Sequence, residues 1–419
     1  MSGALSIGVS ALLANQRQLS TTSHNIANVH TEGYSRQRVE QQALPAQYAG
    51  VGFIGKGVDI SSISRLADQF LEIQVRNNTA GEARASIYAD FSIQVDGIVG
   101  DGTFGPALAR FFQTLQDVNN DPSSIPAREV FLTATRGLTD RFQDLDSRFS
   151  ALNDNLNGAI SQRVTQLNSY SSALAALNRD IVQAYGTSQG QSPNDLLDQR
   201  DRLLKELSKI TNISTIEQQD HATNVFLGNG QLLVAAGTNI TLAATPNPLD
   251  GSRLEVSIQS GGVSTEISSA LVTGELAGIL AFRDEILDPA RNAIGRLAAG
   301  LSITMNTRHQ NGMDLRGVLG TPLFVLGSAN VNAALGNTGS VSMSLDSLNV
   351  GNLTDSDYRL VHNGTDFILT RLTDGVQQTL SGTGPFSVDG MTITLPSAPA
   401  AGDQYLLQPT QFLARGSVP

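Results

Sequence analysis

Residues able to do chemistry gather in a few short stretches. In "GVGFIGKG", Gly50, Gly52 and Gly55 satisfy G-x-G-x-x-G, and Gly50, Gly55 and Lys56 come close to a P-loop. Either motif cradles phosphate on backbone amides, which requires a strand before the glycines and a helix N-terminus after them. Gly57 stands where a P-loop has its magnesium-binding Ser or Thr, and "VDISSI" beyond it reads as a strand. A glycine-rich turn is expected. "GTSQG" puts Ser188 in the G-x-S-x-G pattern of a serine nucleophile. That elbow joins a strand to a helix, whereas this stretch follows a long helix and Gly186 reads as its C-cap. Asp195, Asp198 and Asp201 are spaced by threes, with Arg202 and Lys205 nearby. General acid–base work needs two carboxylates held around one substrate, so an exposed, ion-paired helix face is the expectation here. The five histidines, His24, His30, His221, His309 and His362, show no metal spacing such as H-E-x-x-H. No catalytic site, cofactor site or metal site is expected.

Composition excludes further classes. The formal charge of the 419 residues is -11, and no basic stripe offers itself to nucleic acid. Cysteine is absent, which removes disulfides, Cys-ligated metals and thiol nucleophiles. No stretch reaches the roughly 18 apolar residues of a membrane span, so membrane insertion is not expected. The opening "MSGALSIGVSALLANQRQ" has no Lys or Arg before its apolar part, unlike a cleaved secretory signal.

The elements carry more information. Residues 4–28 read as one helix, with Leu5, Val9, Leu12, Leu19 and Ile26 in alternate steps of three and four and Gln16 and Ser23 at the missing positions. Such a stripe suits one partner helix. Gly8 and the Ser/Thr cluster at 20–23 weaken the helix alone, so it should need a partner. From Ser35 to Ile63 the pattern alternates and turns, which predicts a small β excursion. Leu138, Phe142, Leu145, Phe149, Leu152 and Leu156 begin a heptad run, and Ile160, Val164, Leu167, Leu174, Leu177 and Ile181 continue it. A helix over 137–185 would be roughly 70 Å long. After "GTSQGQSPN", Asn194 can cap a helix whose leucines lie on one side. Residues 211–272 read as strands, with a hairpin turning on Gly228, Asn229 and Gly230. In the helical stretch that begins at Gly274, Asp288 as N-cap and Pro289 as first helical residue should restart the helix at an angle. Short β runs follow from about residue 318. The fold class is mainly α with β appendages: an N-terminal axial helix and turn (1–34), a long-helix rod domain with β excursions (35–330) and a β-rich outer domain (331–419).

"ALSIGVSALLANQRQLSTTSHNIANVHTEGYSRQRV" resembles the N-terminal signature of flagellar axial proteins through Ala4, Leu5, Leu12, Leu19, Asn25, Ile26, Ala27, Asn28, Gly33, Tyr34, Ser35 and Arg36. "GKGVDISSISRLADQFLEIQVR", "NDLLDQRDRLLKELS" and "GELAGILAFRDEILDPARNAIGRLA" look like the flagellar hook-associated protein 1 family. The resemblance implies a structural, non-enzymatic protein of the extracellular flagellum, exported by the type III apparatus without a cleaved signal. It implies a ring of copies at the hook–filament junction. The implied partners are the hook protein, the second hook-associated junction protein and an export chaperone that binds near the C-terminus. It also implies a closing C-terminal helix paired with the N-terminal one. The sequence stops at "LARGSVP" before such a helix, so a fragment or a divergent member is expected, with the chaperone site in the missing part.

The resemblance makes "NIANVHTEGYSRQRVE" the hinge between the axial helix and the outer domains, with Asn25 and Asn28 holding the helix end, Gly33 turning, and "YSRQRV" forming the first strand. Leu5, Val9, Leu12, Leu19 and Ile26 would be the assembly seam. A hook or rod subunit, or an adhesin carried on the β domain, is the alternative.

Overall fold

The computed structural model describes residues 2–48, 50, 52–228, 230–314 and 316–416. Asn229, expected in a turn, lies outside them. Seven helices are named here: α1 (Ser2–Ala27), α2 (Gln69–Val99), α3 (Phe104–Asn120), α4 (Ile125–Thr187), α5 (Asn194–Ile210), α6 (Glu275–Phe282) and α7 (Asp288–Gln310). Helix α4 runs 63 residues without a break. Its seam explains the length: every heptad residue from Leu138 to Ile181 is at most 5% exposed. It ends later than Gly186. Gln189 and Gly190 take the left-handed conformation, and the Gly190 amide reaches back to the Tyr185 carbonyl at 3.0 Å, as in a Schellman cap.

Two other expectations fail for local reasons. Helices α6 and α7 are not separated by a break. Arg283–Leu287 is a stretch of wider π-type helix, and Asp288 keeps helical angles of -66° and -45°. Widening the turn relieves the clash and the lost hydrogen bond that Pro289 brings. Asp288 instead pairs with Arg253 at 2.9 Å. Asn194 is the first helical residue of α5 and caps nothing. Its amide donates to the Ile63 carbonyl at 2.7 Å.

The chain divides into two compact units, each discontinuous in sequence: Met1–Ser86 with Gln162–Ala243 and Val256–Gly278, and Ile87–Ser161 with Ala244–Glu255 and Ile279–Pro419. In the first unit, α1 lies on an antiparallel hairpin of Gln37–Ala43 and Val58–Arg65, extended by the short pair Gln47–Tyr48 and Phe53–Ile54. A four-stranded sheet runs from Ile213–Glu217 to Thr238–Asn239. Its hairpin turns with Gly230 at φ +85°. Gly228 has a different reason to be glycine: a Cβ there would lie 1.3 Å from Asn212 Nδ2. Leu177, Ile181 and Leu197 form the core under α5, with Leu196 and Leu203 packed against it.

In the second unit, Phe111, Phe131, Leu138, Phe142, Leu323 and Phe324 join α3, α4 and the segment after α7. The β domain has a five-stranded antiparallel sheet in the order Asn330–Ala333, Gln404–Gln408, Tyr358–His362, Phe367–Arg371, Gln377–Leu380. A second sheet is built from Ser340–Leu345, Met391–Ser397 and Phe386–Val388. Alternate residues point inward, so Leu360, Leu369 and Leu407 meet Met391 and Ile393 in one core. Beyond the last strand, a single turn at Leu413–Arg415 packs back on the helices. Arg415 Nε donates to Asp146 at 2.7 Å.

Candidate assembly site at the end of the first helix

Helix α1 has two unlike faces. Two residues along an α-helix turn it by about 200°, so Leu12 and Ala14, or Leu19 and Thr21, lie on opposite sides. Ala14 and Thr21 are buried, toward the hairpin. Small residues let the backbones approach: the Ser10 hydroxyl accepts the Val58 amide at 3.3 Å, and Gly57, at φ +105°, leaves that hydroxyl room. On the far face Leu5, Val9, Leu12, Leu19 and Ile26 are 49–73% exposed.

The end of α1 is fastened by Asn25. A side-chain amide offers a donor and an acceptor in one plane, as a peptide does. Asn25 Nδ2 donates to the Gln37 carbonyl at 2.9 Å, and its Oδ1 accepts the Gln37 amide at 2.8 Å. The same oxygen accepts the Tyr34 hydroxyl at 2.7 Å. Burial first, then Asp195 and Asp198, pushes the Tyr34 phenol above its ordinary pKa. Asn28 donates to the His24 carbonyl at 3.0 Å and accepts Thr31 Oγ1 at 3.2 Å. The His24 carbonyl also accepts the Asn28 backbone amide at 3.1 Å, so Asn28 holds the last turn at two points. Gly33, at φ +79°, turns the chain beside Arg202. Ala27 ends the helix, exposed beside Ile26. Tyr34 to Arg36 are not yet strand. The strand starts at Gln37, and the Arg36 carbonyl accepts the Leu66 amide at 2.8 Å.

The aspartate strip corrects the sequence reading. Only Asp195 is broadly exposed, and it accepts Gln37 Nε2 at 3.0 Å. Asp198 is buried. It accepts the Ser35 amide at 2.8 Å and Arg65 Nη1 at 3.1 Å. Asp201 also pairs with Arg65. Burial opposes the Arg65 cation, but Asp201 and Asp198 outweigh it and hold its pKa up. Arg202 and Lys205, the expected partners, are not the ones used. These carboxylates are committed to a cation and a backbone amide, which is a fastening and not an acid–base pair.

The other motifs are scaffold. "GVGFIGKG" runs into the strand Val58–Arg65, so no helix N-terminus faces its glycines. Ser188 Oγ donates to the Gln191 carbonyl at 2.7 Å within the loop after α4. Among the described residues no three His, Cys, Asp or Glu side chains group as metal ligands, and no helix is long and apolar enough to cross a membrane.

Residues 93–324 match the family model "Flagellar hook-associated protein FlgK helical domain". The chain belongs to the flagellar hook-associated protein 1 family. Residues 331–409 match that family's D2-like domain, and residues 5–34 match the flagella basal body rod protein model. Flagellar hook-associated protein 1 of Salmonella typhimurium strain LT2 is 31% identical over 98% of this chain and 75% of its own. That of Escherichia coli K12 is 31% identical over 98% and 76%. The solved structure of the flagellar hook junction protein FlgK from Burkholderia pseudomallei superposes with a TM-score of 0.76 at 30% identity, over 82% of this chain. The chain spans 63% of that protein's length. Homologues with these names are structural proteins of the flagellum.

Within this family member, sequence reasoning singled out Asn25, Asn28 and Gly33 by residue type, placed Asp198 on an exposed face, and missed Arg65 and its pairing with Asp198. Both residues of that pair lie in the stretches that carry the resemblance, "GKGVDISSISRLADQFLEIQVR" and "NDLLDQRDRLLKELS". An arginine in the one and an acid triplet in the other were the available signal.

Proposed function

We propose that this chain is a structural piece of the junction between flagellar hook and filament, assembling through the exposed seam of α1. The observation that carries this reading is the pairing of opposites on one helix. One face is fastened to the hairpin by Ser10 and Asn25, while five large apolar residues face outward. A 26-residue helix with a heptad stripe is built for a helical partner. The family resemblance makes that partner the closing helix of the family, with further copies of the chain around a ring. Hook protein and the second hook-associated protein are the axial neighbours on this reading. Export through the flagellar type III apparatus without signal cleavage, extracellular location, and a chaperone site in the closing region belong to the same proposal. The segments 1–34, 35–330 and 331–419 are its functional divisions, supported by family matches at 5–34, 93–324 and 331–409. A hook or rod subunit is disfavoured, because the rod model matches the first segment alone.

The test is decoration of isolated hooks by the purified chain, seen by immunogold labelling. Label is expected at the distal hook end, and lost in Leu12→Glu/Leu19→Glu with helical circular dichroism retained. Equal labelling by that variant would overturn the assembly seam.

A further inference from the structure

Asparagine followed by glycine occurs four times in the chain, at residues 157–158, 229–230, 311–312 and 363–364. In such a pair the glycine nitrogen can attack the asparagine side chain, because no Cβ bars its approach. The fold decides which pairs are free to react. Asn157 has both side-chain atoms engaged, Nδ2 with the Ser252 carbonyl at 2.8 Å and Oδ1 with the Leu254 amide at 2.9 Å. Its pair lies inside unbroken α4, where the Gly158 amide belongs to the helix. In Asn311–Gly312 the Gly312 amide donates to the His309 carbonyl at 3.1 Å. Asn229 lies outside the described residues.

Asn363–Gly364 is arranged differently. It turns the antiparallel hairpin of Tyr358–His362 and Phe367–Arg371, and Asn363, Gly364 and Thr365 are exposed. Asn363 Oδ1 accepts the Thr365 amide at 2.9 Å and the Asp366 amide at 2.8 Å. The Asn363 amide donates to the Asp366 carbonyl at 3.0 Å, which closes the turn. Among the described residues, neither the Gly364 amide nor Asn363 Nδ2 has a hydrogen-bond partner. The attacking and leaving nitrogens are therefore free and open to water, while the oxygen on the carbon between them is held by two donors.

That division suits one reaction. When a nitrogen adds to Cγ, negative charge moves onto Oδ1. Two N–H groups already aimed at this oxygen stabilise the charge, as an oxyanion hole does in acyl transfer. The closed turn also fixes the Asn363 side chain, so part of the ordering is complete before the reaction begins.

We propose that Asn363 is a site of self-modification, converted by the Gly364 nitrogen into a succinimide and then by water into aspartate and isoaspartate. The Gly364 nitrogen gives its proton to water and bonds to Asn363 Cγ. The Cγ–Nδ2 bond breaks, and Nδ2 takes a proton from water and leaves as ammonia. Water then opens the imide. Cleavage at Cγ leaves aspartate, and cleavage at the main-chain carbonyl leaves isoaspartate, whose backbone runs through Cγ and is one carbon longer. Either product carries a new negative charge, and the longer one loosens the turn next to the His362–Phe367 pair that ends the ladder. The reaction does not depend on the junction reading.

The test follows the peptides of the whole purified chain by mass spectrometry during incubation at mildly alkaline pH, folded in buffer and unfolded in urea. In the folded chain the Asn363 peptide is expected to gain one dalton at least tenfold faster than the Asn157 and Asn311 peptides. Isoaspartyl methyltransferase should label it, and the label should vanish in Asn363→Gln. Urea should bring the three pairs to similar rates by speeding Asn157 and Asn311, not Asn363. A folded rate at Asn363 below its unfolded rate would show that the turn protects the side chain, and would overturn the proposal. Equal folded rates at the three pairs, or a label that persists in Asn363→Gln, would overturn it as well.

Discussion

In α4 the heptad residues from Leu138 to Ile181 are at most 5% exposed, whereas in α1 Leu5, Val9, Leu12, Leu19 and Ile26 are 49–73% exposed. Both helices carry the same step of three and four. The first recruits its cover from α3, α5 and the segments around them. The second is held by its opposite face, through small residues and hydrogen bonds, and leaves the seam bare. Burying such a side chain is worth about 1.5–3 kcal/mol. The bare seam therefore withholds from this fold a driving force available to association. A heptad stripe states that a helix has a partner, and it does not state which chain supplies it.

The largest expected effect comes from exchanging like for like across the comparison. Leu156→Ala, at a fully buried seam position, should lower stability by about 3 kcal/mol in urea unfolding. Leu12→Ala should change it by less than about 0.5 kcal/mol. Similar losses for both would show that α1 is covered in solution.

The polar fastenings sharpen the contrast. Asn178 is fully buried. It accepts the Thr223 amide at 3.1 Å and donates to the Thr223 and Ala236 carbonyls at 2.8 and 2.7 Å. Asn25 repeats the two-point pairing in a half-open place. Asn178→Ala should cost about 2–3 kcal/mol, since it strands buried backbone groups, and Asn25→Ala about 1 kcal/mol. The difference is read from the same unfolding curves.

Covered regions also hold a proton on a buried carboxyl, and α1 has no carboxylate. Asp357 receives amide donors from Asn292 at 3.1 Å and Gln408 at 3.4 Å. Burial first, then Asp288, pushes it from 3.8 up to about 7. Between those values the folded protein keeps a proton that the unfolded chain has released. Its contribution to stability is thus fully present below the lower value and lost as pH rises to the upper one. The slope from this group should approach about 1.4 kcal/mol per pH unit and vanish in Asp357→Asn, as measured by unfolding across pH 4 to 8. An unchanged slope in the variant would assign it elsewhere.

The smallest effect is local. Gly33→Ala forces a side chain into φ +79° and should cost about 1 kcal/mol. It should loosen the exchange protection of the Gln37 amide before that of any amide in α4.

What the sequence disclosed follows the range of the forces involved. The α4 seam was legible because periodicity is local, and so were the helix-ending Asn28 and the turn at Gly33. Ser188 could be set aside because its neighbours form a helix and not a strand. Pro289 misled, because a proline can be absorbed by a wider helical turn as well as by a break. Gly228 lies in the expected turn, but what requires glycine there is the Asn212 side chain and not a positive φ. The Asp198 fastening was illegible for a plainer reason: spacing shows which face Asp195, Asp198 and Asp201 share, and nothing in it names Arg65 or Ser35 as partners.

That fastening bears on the order of folding. The Ser35 amide and Asp198 are separated by 163 positions, and Arg65 and Asp198 by 133. Closing loops of that length is slow compared with winding a helix. A chain that emerges N-terminus first can set α1 on its hairpin early through Ser10 and Asn25, yet cannot tie Ser35 and Arg65 to α5 until α5 has followed. For most of its emergence the first helix and its hairpin are one loose piece, and the contacts that join that piece to α5 are among the latest to form.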